Sequence, residues 1–223
     1  MAVSRKEYFH YVPVNERDVQ WGLYVTGAGC GDWHANDPYP RRRHPDLYHF
    51  TWNQGRVLPE YQVVLITRGE GVFESGPTGT RQIRSPAVLI TTPGVWHRYR
   101  PGAETGWTEY WVGMNGEQLH RLQRQGILRP ENPILPIADS TELVGLCEDL
   151  LTRVRVNPQR THSIATVALQ ILASALELAE ARPLPQRATP MRSAEDAVIA
   201  EAVQYIWDHS QRPMTIDDLV DQL

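Results

Sequence analysis

Between Tyr61 and Met114 the chain sets short apolar runs, Val63 to Ile66, Ala87 to Ile90 and Trp111 to Met114, between clusters of Gly and Pro. The punctuation falls at Gly69-Glu70-Gly71, Gly76-Pro77-Thr78-Gly79, Pro93-Gly94 and Pro101-Gly102. β-Branched runs suit a pleated sheet, and Gly and Pro supply the backbone angles of its turns, so this stretch predicts a small antiparallel barrel or sandwich. Upstream, Trp21 to Thr26 reads as a first strand and Gly27 to Asp46 as a loop rich in Gly, Asp, Asn and Pro. Aromatics alternate with polar residues from Tyr48 to Trp52, the period of a half-buried strand. The first twenty residues lack a clear period and read as an irregular arm.

After Met114 the period lengthens. Asn115 with Gln118 three residues on has the form of a capping box, opening a helix with Leu119 and Leu122 on one face and Gly126 as its stop. Asp139 with Glu142 repeats the device ahead of Leu143, Leu146, Cys147, Leu150, Leu151 and Val154. Asn157-Pro158 predicts a third helix, to about Ala181, whose stripe is Ile164, Val167, Ala168, Ile171, Leu172, Ala175, Leu178 and Ala179. Such a stripe packs either on the chain's own barrel and preceding helix or on a second subunit. Residues 183–193 hold Pro183, Pro185 and Pro190 with no apolar period and read as a linker. Beyond it, Ser193 with Asp196 caps a helix carrying Val198, Ile199, Ala202, Val203, Tyr205 and Ile206, and Thr215 with Asp218 opens another.

At 223 residues and 25.4 kDa the chain can bury one good core with room for one further small unit. A net charge of −4 argues against a protein that coats nucleic acid, because such binding rests on a surplus of Lys and Arg. Arg41-Arg42-Arg43 reads as a solvated loop. No apolar run approaches the roughly 20 residues that span a bilayer, and the opening MAVSRKEYFHYVPV lacks the apolar centre of a signal peptide. The expected location is the cytoplasm, with no membrane partner. Cys30 and Cys147 form no metal or redox spacing and are expected as free thiols.

Candidate chemistry narrows on ligand binding. No His falls between Glu60 and Glu74, His44 and His49 are five apart, and His97 stands alone, so neither a metal nor another cofactor is expected. Glu109 and His97 could meet inside a barrel, but no Ser or Cys in a strained elbow accompanies them, and no catalytic residue is assigned. Gly69-Glu70-Gly71 precedes no helix that could receive a phosphate and is read as a hairpin turn. Trp107, Glu109 and Trp111 share one strand face by the period of two, and Tyr99 lies one strand earlier. Ring faces cover the apolar faces of a sugar while a carboxylate and a phenol orient its hydroxyls. Trp107 and Trp111 also have the ordinary alternative of being core.

The succession of Arg68-Gly69-Glu70-Gly71, Thr92-Pro93-Gly94, Trp96-His97-Arg98-Tyr99 and Trp107 through Trp111-Val112-Gly113-Met114 resembles the sensory domain of AraC/XylS-type transcription regulators. The closing VIAEAVQYIWDHSQRPMTIDDLVDQL is similar to the entry into that family's DNA-binding domain. The resemblance implies an α+β fold: a cupin-like antiparallel β-barrel followed by helices, then the start of an all-α helix-turn-helix domain. It divides the chain into an effector-binding and dimerisation domain at 1–182, the linker at 183–193, and a truncated N-terminal part of the DNA-binding domain at 194–223. It implies a small effector, a sugar first of all, bound by Arg56, Tyr99, Trp107, Glu109 and Trp111. Homodimer pairing is implied through Ile164, Val167, Ala168, Ile171, Leu172, Ala175 and Leu178, and DNA contact only through the region missing after Leu223. On this reading the chain is a regulator and not an enzyme; the rival is a cupin-type enzyme acting on a small sugar-like substrate.

Overall fold

Side chains alternate along the central strands, and that alternation separates two cores. The computed structural model describes residues 7–40, 48 and 50–180. Strand β3 (Tyr61–Ser75) sends Val63 and Leu65 to one side and Val64 and Ile66 to the other. Strands β5 (Ala87–Thr91) and β7 (Trp107–Asn115) do the same: Val88, Ile90, Tyr110, Val112 and Met114 join the first side, and Ala87, Leu89 and Trp107 the second. The first core lies beneath helices, and the second fills the space between the strands.

All pairings are antiparallel. One path runs β1 (Tyr8–Tyr11), β2 (Tyr24–Trp33), β7, β3, β5 and β8 (Ile134–Pro136), while β4 (Gly79–Arg84) and β6 (His97–Pro101) both pair with the far half of β3. The fifteen-residue β3 is therefore shared: up to Gly69 it lies between β5 and β7, and from Glu70 onward between β4 and β6. The change of partners coincides with a register shift between Ile66 and Arg68 and with Gly69 at φ 87°. Any β-carbon on Gly69 would lie 2.1 Å from the Gly106 carbonyl oxygen. Gly69-Glu70-Gly71 is thus a bend within a strand and not the expected hairpin turn, a use of Gly where one sheet turns into the next. Gly76-Pro77-Thr78-Gly79 does join β3 to β4.

Several local expectations are corrected. The first twenty residues hold β1 and a short helix, α1 (Glu16–Trp21). Asn15 Oδ1 accepts from the amides of Arg17 and Asp18, and Asp18 Oδ2 accepts from the Asn15 amide, a complete capping box. Gly22 at φ 81° ends the helix, so Trp21 is helical and the strand begins at Tyr24. That strand continues to Trp33 through the stretch expected to be a loop. Phe50 to Trp52 lie in turns rather than a strand. Helix α2 (Glu117–Arg124) starts from Gly116 without a side-chain cap, because the Asn115 side-chain oxygen accepts from the Gly116 amide while its NH2 donates to the Pro59 carbonyl; Gly126 follows its end at φ 70°. Asp139 accepts from the Thr141 amide and hydroxyl one residue before the N-cap of α3 (Thr141–Val156), and α4 (Thr161–Glu180) starts three residues later than Pro158.

Helix α4 is the first core's keystone. Ile164, Val167, Ala168, Ile171, Leu172 and Ala175 are 0–7% exposed, packed with Leu143, Leu150, Leu151 and Val154 of α3 and with the outer face of the sheet. The stripe expected to dimerise is therefore this chain's own core, with only Leu178 partly open at its end. By length and composition α4 could cross a membrane, but eight of its residues are buried here, as in a core helix. Cys147 of α3 is a buried thiol pushed up to about 12 by its burial, and neither it nor Cys30 is in a disulfide.

Asp18 ties α1 to α4. Its second oxygen accepts from the Thr161 hydroxyl at the first turn of α4, and Trp21 stacks on His162 with ring centroids 4.4 Å apart. Asp18 is 2% exposed, so Asp18→Ala removes both a cap and a buried acceptor. A loss of about 1 to 3 kcal/mol in chemical denaturation is expected, and a loss under half of that would show that α1 docks without this carboxylate.

The expected linker at 183–193 and the helices of 194–223 lie outside the described residues, as do Arg41, Arg42, Arg43, His44 and His49.

Candidate ligand pocket

At one end the second core opens into a small cavity. Its wall begins with three glycines on β2. Gly27, Gly29 and Gly31 stand opposite Gly113, Trp111 and Glu109 of β7, and a β-carbon on Gly29 would come within 2.6 Å of Trp111 Nε1. At Gly27 it would meet the Tyr11 ring at 2.9 Å. The missing side chains let Trp111 and Tyr11 lie flat along β2. Tyr11, from β1, is 4.4 Å from the Tyr48 ring and 5.9 Å from Trp111.

Glu109 lies at the bottom, 6% exposed. Trp33 Nε1 donates to Oε1 at 3.0 Å and the Tyr39 hydroxyl to Oε2 at 3.3 Å. Burial raises its pKa to about 7 against the pull of those two donors, of Arg56 and of the nearby Trp107 indole. The Tyr39 ring is edge-on to Trp33 and Trp107 and tilted against Tyr99. Its hydroxyl is pushed well above its ordinary range, first by burial and then by Glu109.

Arg56 forms the opposite wall. A two-residue backbone pairing with His97 fixes it beside β6. Its guanidinium donates from Nη1 to the Tyr48 carbonyl at 2.8 Å, from Nη2 to Gln62 Oε1 at 2.9 Å and to the Tyr99 hydroxyl at 2.7 Å, and from Nε to His97 Nε2 at 3.3 Å. An arginine can only donate, so His97 accepts at Nε2 and carries its proton on Nδ1, which donates to the Val95 carbonyl at 3.0 Å. Burial and the Arg56 charge keep this imidazole neutral, lowering it to about 4. Behind Arg56, Glu60 accepts from the Tyr48 hydroxyl and from Gln62, and burial raises its pKa.

Of the five residues expected to bind ligand, Arg56, Tyr99, Glu109 and Trp111 line this cavity together. Trp107 does not: it is fully buried in the second core, pressed against Gly71, where a β-carbon would meet its ring at 2.5 Å. Its place on the strand face is as expected, but Tyr39 covers it. Tyr11, Trp33, Tyr39, Pro40, Tyr48, Phe50 and Gln62 complete the lining and were missed in the sequence. The one signal for the wall was the period-two spacing of Gly27, Gly29 and Gly31.

Glu109 and His97 are held by separate partners rather than paired as acid and base. Among the described residues no three His, Cys, Asp or Glu side chains gather to hold a metal. What the cavity offers is ring faces, one buried carboxylate and fixed hydrogen-bonding groups, the equipment of a binding site for a small polar molecule.

An antiparallel double sheet with an aromatic-lined cavity at one end and helices packed outside defines a ligand-binding module. The family model of the AraC-like ligand binding domain matches residues 35–191, and the chain belongs to that family. Tyr11 and Trp33 come from chain ahead of the matched stretch. The lactose operon transcription activator of Staphylococcus xylosus is 25% identical over 173 residues, covering 77% of this chain and 58% of that protein. The chain thus spans less than two thirds of that relative's length. Similar solved structures include the AraC-like transcriptional activator CuxR (TM-score 0.41, 11% identity, 88% of this chain and 63% of that one) and ToxT from Vibrio cholerae (TM-score 0.35, 7% identity, 96% and 68%).

Proposed function

We propose that this chain is the effector-sensing part of a cytoplasmic AraC-type transcription regulator and that it acts by binding, without catalysis. The effector is a small sugar, a galactoside such as lactose being the first candidate in view of the activator to which the chain is similar. The observation that supports this most is the pairing of Trp111, laid flat on the glycine stripe, with the buried Glu109 carboxylate two residues away. An indole face takes the C–H face of a pyranose, and a carboxylate accepts its hydroxyls. Tyr11 gives the ligand a direct contact with β1, and α4 is the element through which a homodimer would respond. The effector shifts the balance between two arrangements by its different affinity for each. DNA is read by the helix-turn-helix region that residues 194–223 resemble.

With the inward stripe of α4 buried, pairing falls to the flank of the helix, where Leu169 and Leu176 are partly buried against the first core and Ala173 is exposed. These lie at spacings of four and three, on one face of the helix. Loss of the Trp111 indole is expected to weaken lactose or galactose binding by about 1 to 3 kcal/mol in calorimetry of Trp111→Ala. Unchanged affinity in both Trp111→Ala and Glu109→Ala would place the ligand elsewhere.

A further inference from the structure

A guanidinium in a sugar pocket ordinarily marks the place of a phosphate or carboxylate, but the surroundings of Arg56 remove that option. Arginine has five N–H donors, and a bidentate anion needs two that are adjacent and free. Four of the five are directed at His97, the Tyr48 carbonyl, Gln62 and Tyr99. The remaining donor, on Nη1, has no free neighbour. The guanidinium faces are also covered, with its central carbon 4.7 Å from the Phe50 ring centre and 5.3 Å from that of Tyr99. Arg56 is a structural cation, consumed by the wall it builds.

Among the described residues, the other charges near the cavity are negative. Glu109 is directed into it, and Glu60 lies behind Tyr48 and Gln62. His97 is neutral, and the phenols of Tyr11, Tyr39, Tyr48 and Tyr99 are all raised by burial and remain uncharged. One guanidinium thus faces two carboxylates. An incoming anion would find no free pair of donors and would be held against Glu109 with little water to screen it. A hydroxyl in the same position donates to that carboxylate.

We propose that the pocket selects an uncharged polyhydroxylated ligand and rejects the anionic form of the same sugar, with Glu109 as the residue that sets this selectivity. The proposal rests on the sugar reading of the pocket and adds the charge class of the ligand. It implies that the regulator answers to the free sugar before any reaction that phosphorylates or oxidises it.

Galactose, galacturonate and galacturonamide test it, since the last two differ in charge at nearly constant shape. Calorimetry at pH 8 is expected to show galactose and galacturonamide within about threefold of each other and galacturonate at least about 30-fold weaker. In Glu109→Gln, verified as folded by its thermal melt, the penalty on galacturonate is expected to shrink at least about tenfold. Galacturonate binding as tightly as the amide, or discrimination unchanged in Glu109→Gln, would overturn the charge assignment while leaving the sugar reading in place. Heat from none of the three would overturn the sugar reading and this proposal with it. Galactose 6-phosphate binding as tightly as galactose would also overturn it, by showing that Arg56 or another cation can be freed.

Discussion

Ile171→Glu is expected to abolish the native fold. Ile171 is 1% exposed in the middle of α4, in the core shared with α3 and the sheet. Truncating such a side chain costs about 2 to 5 kcal/mol, and a carboxylate placed there without a partner adds a desolvation cost of several kcal/mol. The sum matches or exceeds the roughly 5 to 15 kcal/mol that holds a domain of this size together. Circular dichroism should show no cooperative melt at temperatures where the unaltered chain is folded. Ala173→Glu, at an exposed position on the same helix, should keep its melt and lower the sedimenting mass if the chain pairs through α4. A folded, monomeric Ile171→Glu would mean that the inward stripe is an interface after all.

That contrast shows what a periodic stripe can and cannot say. Spacings of three and four locate a buried face: six of the eight stripe residues are buried, Leu178 and Ala179 are only partly so, and Ala165 and Ser174 are buried beside them. The pattern does not name the partner, because the chain's own sheet and a second subunit ask for the same side chains. The strands were legible for a related reason: Val63 to Ile66 and Ala87 to Ile90 are apolar on both faces because two cores use them. Only the start of β2 was legible, since Gly27, Gly29 and Gly31 count as loop residues by composition. The meaning of Gly27 and Gly29 depends on Trp111, more than 80 residues later, which lies over them. The same distance hid half of the pocket. Trp33 donates to Glu109 across 76 positions and Arg56 to Tyr99 across 43; the register of β2 on β7 brings the first pair together, and the bridge from Arg56 to His97 of β6 the second. The resemblance to a known family supplied four lining residues without that register, and it misplaced Trp107, whose strand face is right but whose ring another side chain covers.

The second large effect is on the pH dependence of stability. Glu109 has its pKa raised from 4.5 to about 7, chiefly by burial. Between those values the folded chain binds more protons than the unfolded one, so stability falls as pH rises. At about 1.4 kcal/mol per pK unit the full loss is about 3 kcal/mol, complete above pH 7. Glu60, also raised by burial, adds to the same trend. His97 works the other way: it is lowered from 6.5 to about 4, so the unfolded chain binds the extra proton between those values and stability climbs with pH across that range. Opposed trends make the unaltered chain nearly flat between about pH 5 and 6.5, with decline on both sides. Glu109→Gln keeps an acceptor for Trp33 and removes the ionisation, so its stability relative to the unaltered chain should rise by about 3 kcal/mol from pH 4.5 to pH 8. His97→Gln should lose the acid-side decline and keep the alkaline one. Denaturant titrations of the three chains at half-unit pH steps would show this, and parallel curves for Glu109→Gln and the unaltered chain would mean that Glu109 is solvated in the folded state. The same ionisation governs recognition. A sugar hydroxyl donates more strongly to the charged carboxylate than to the neutral acid, so binding should draw the Glu109 pKa back toward the ordinary carboxylate range and release protons when measured near pH 7.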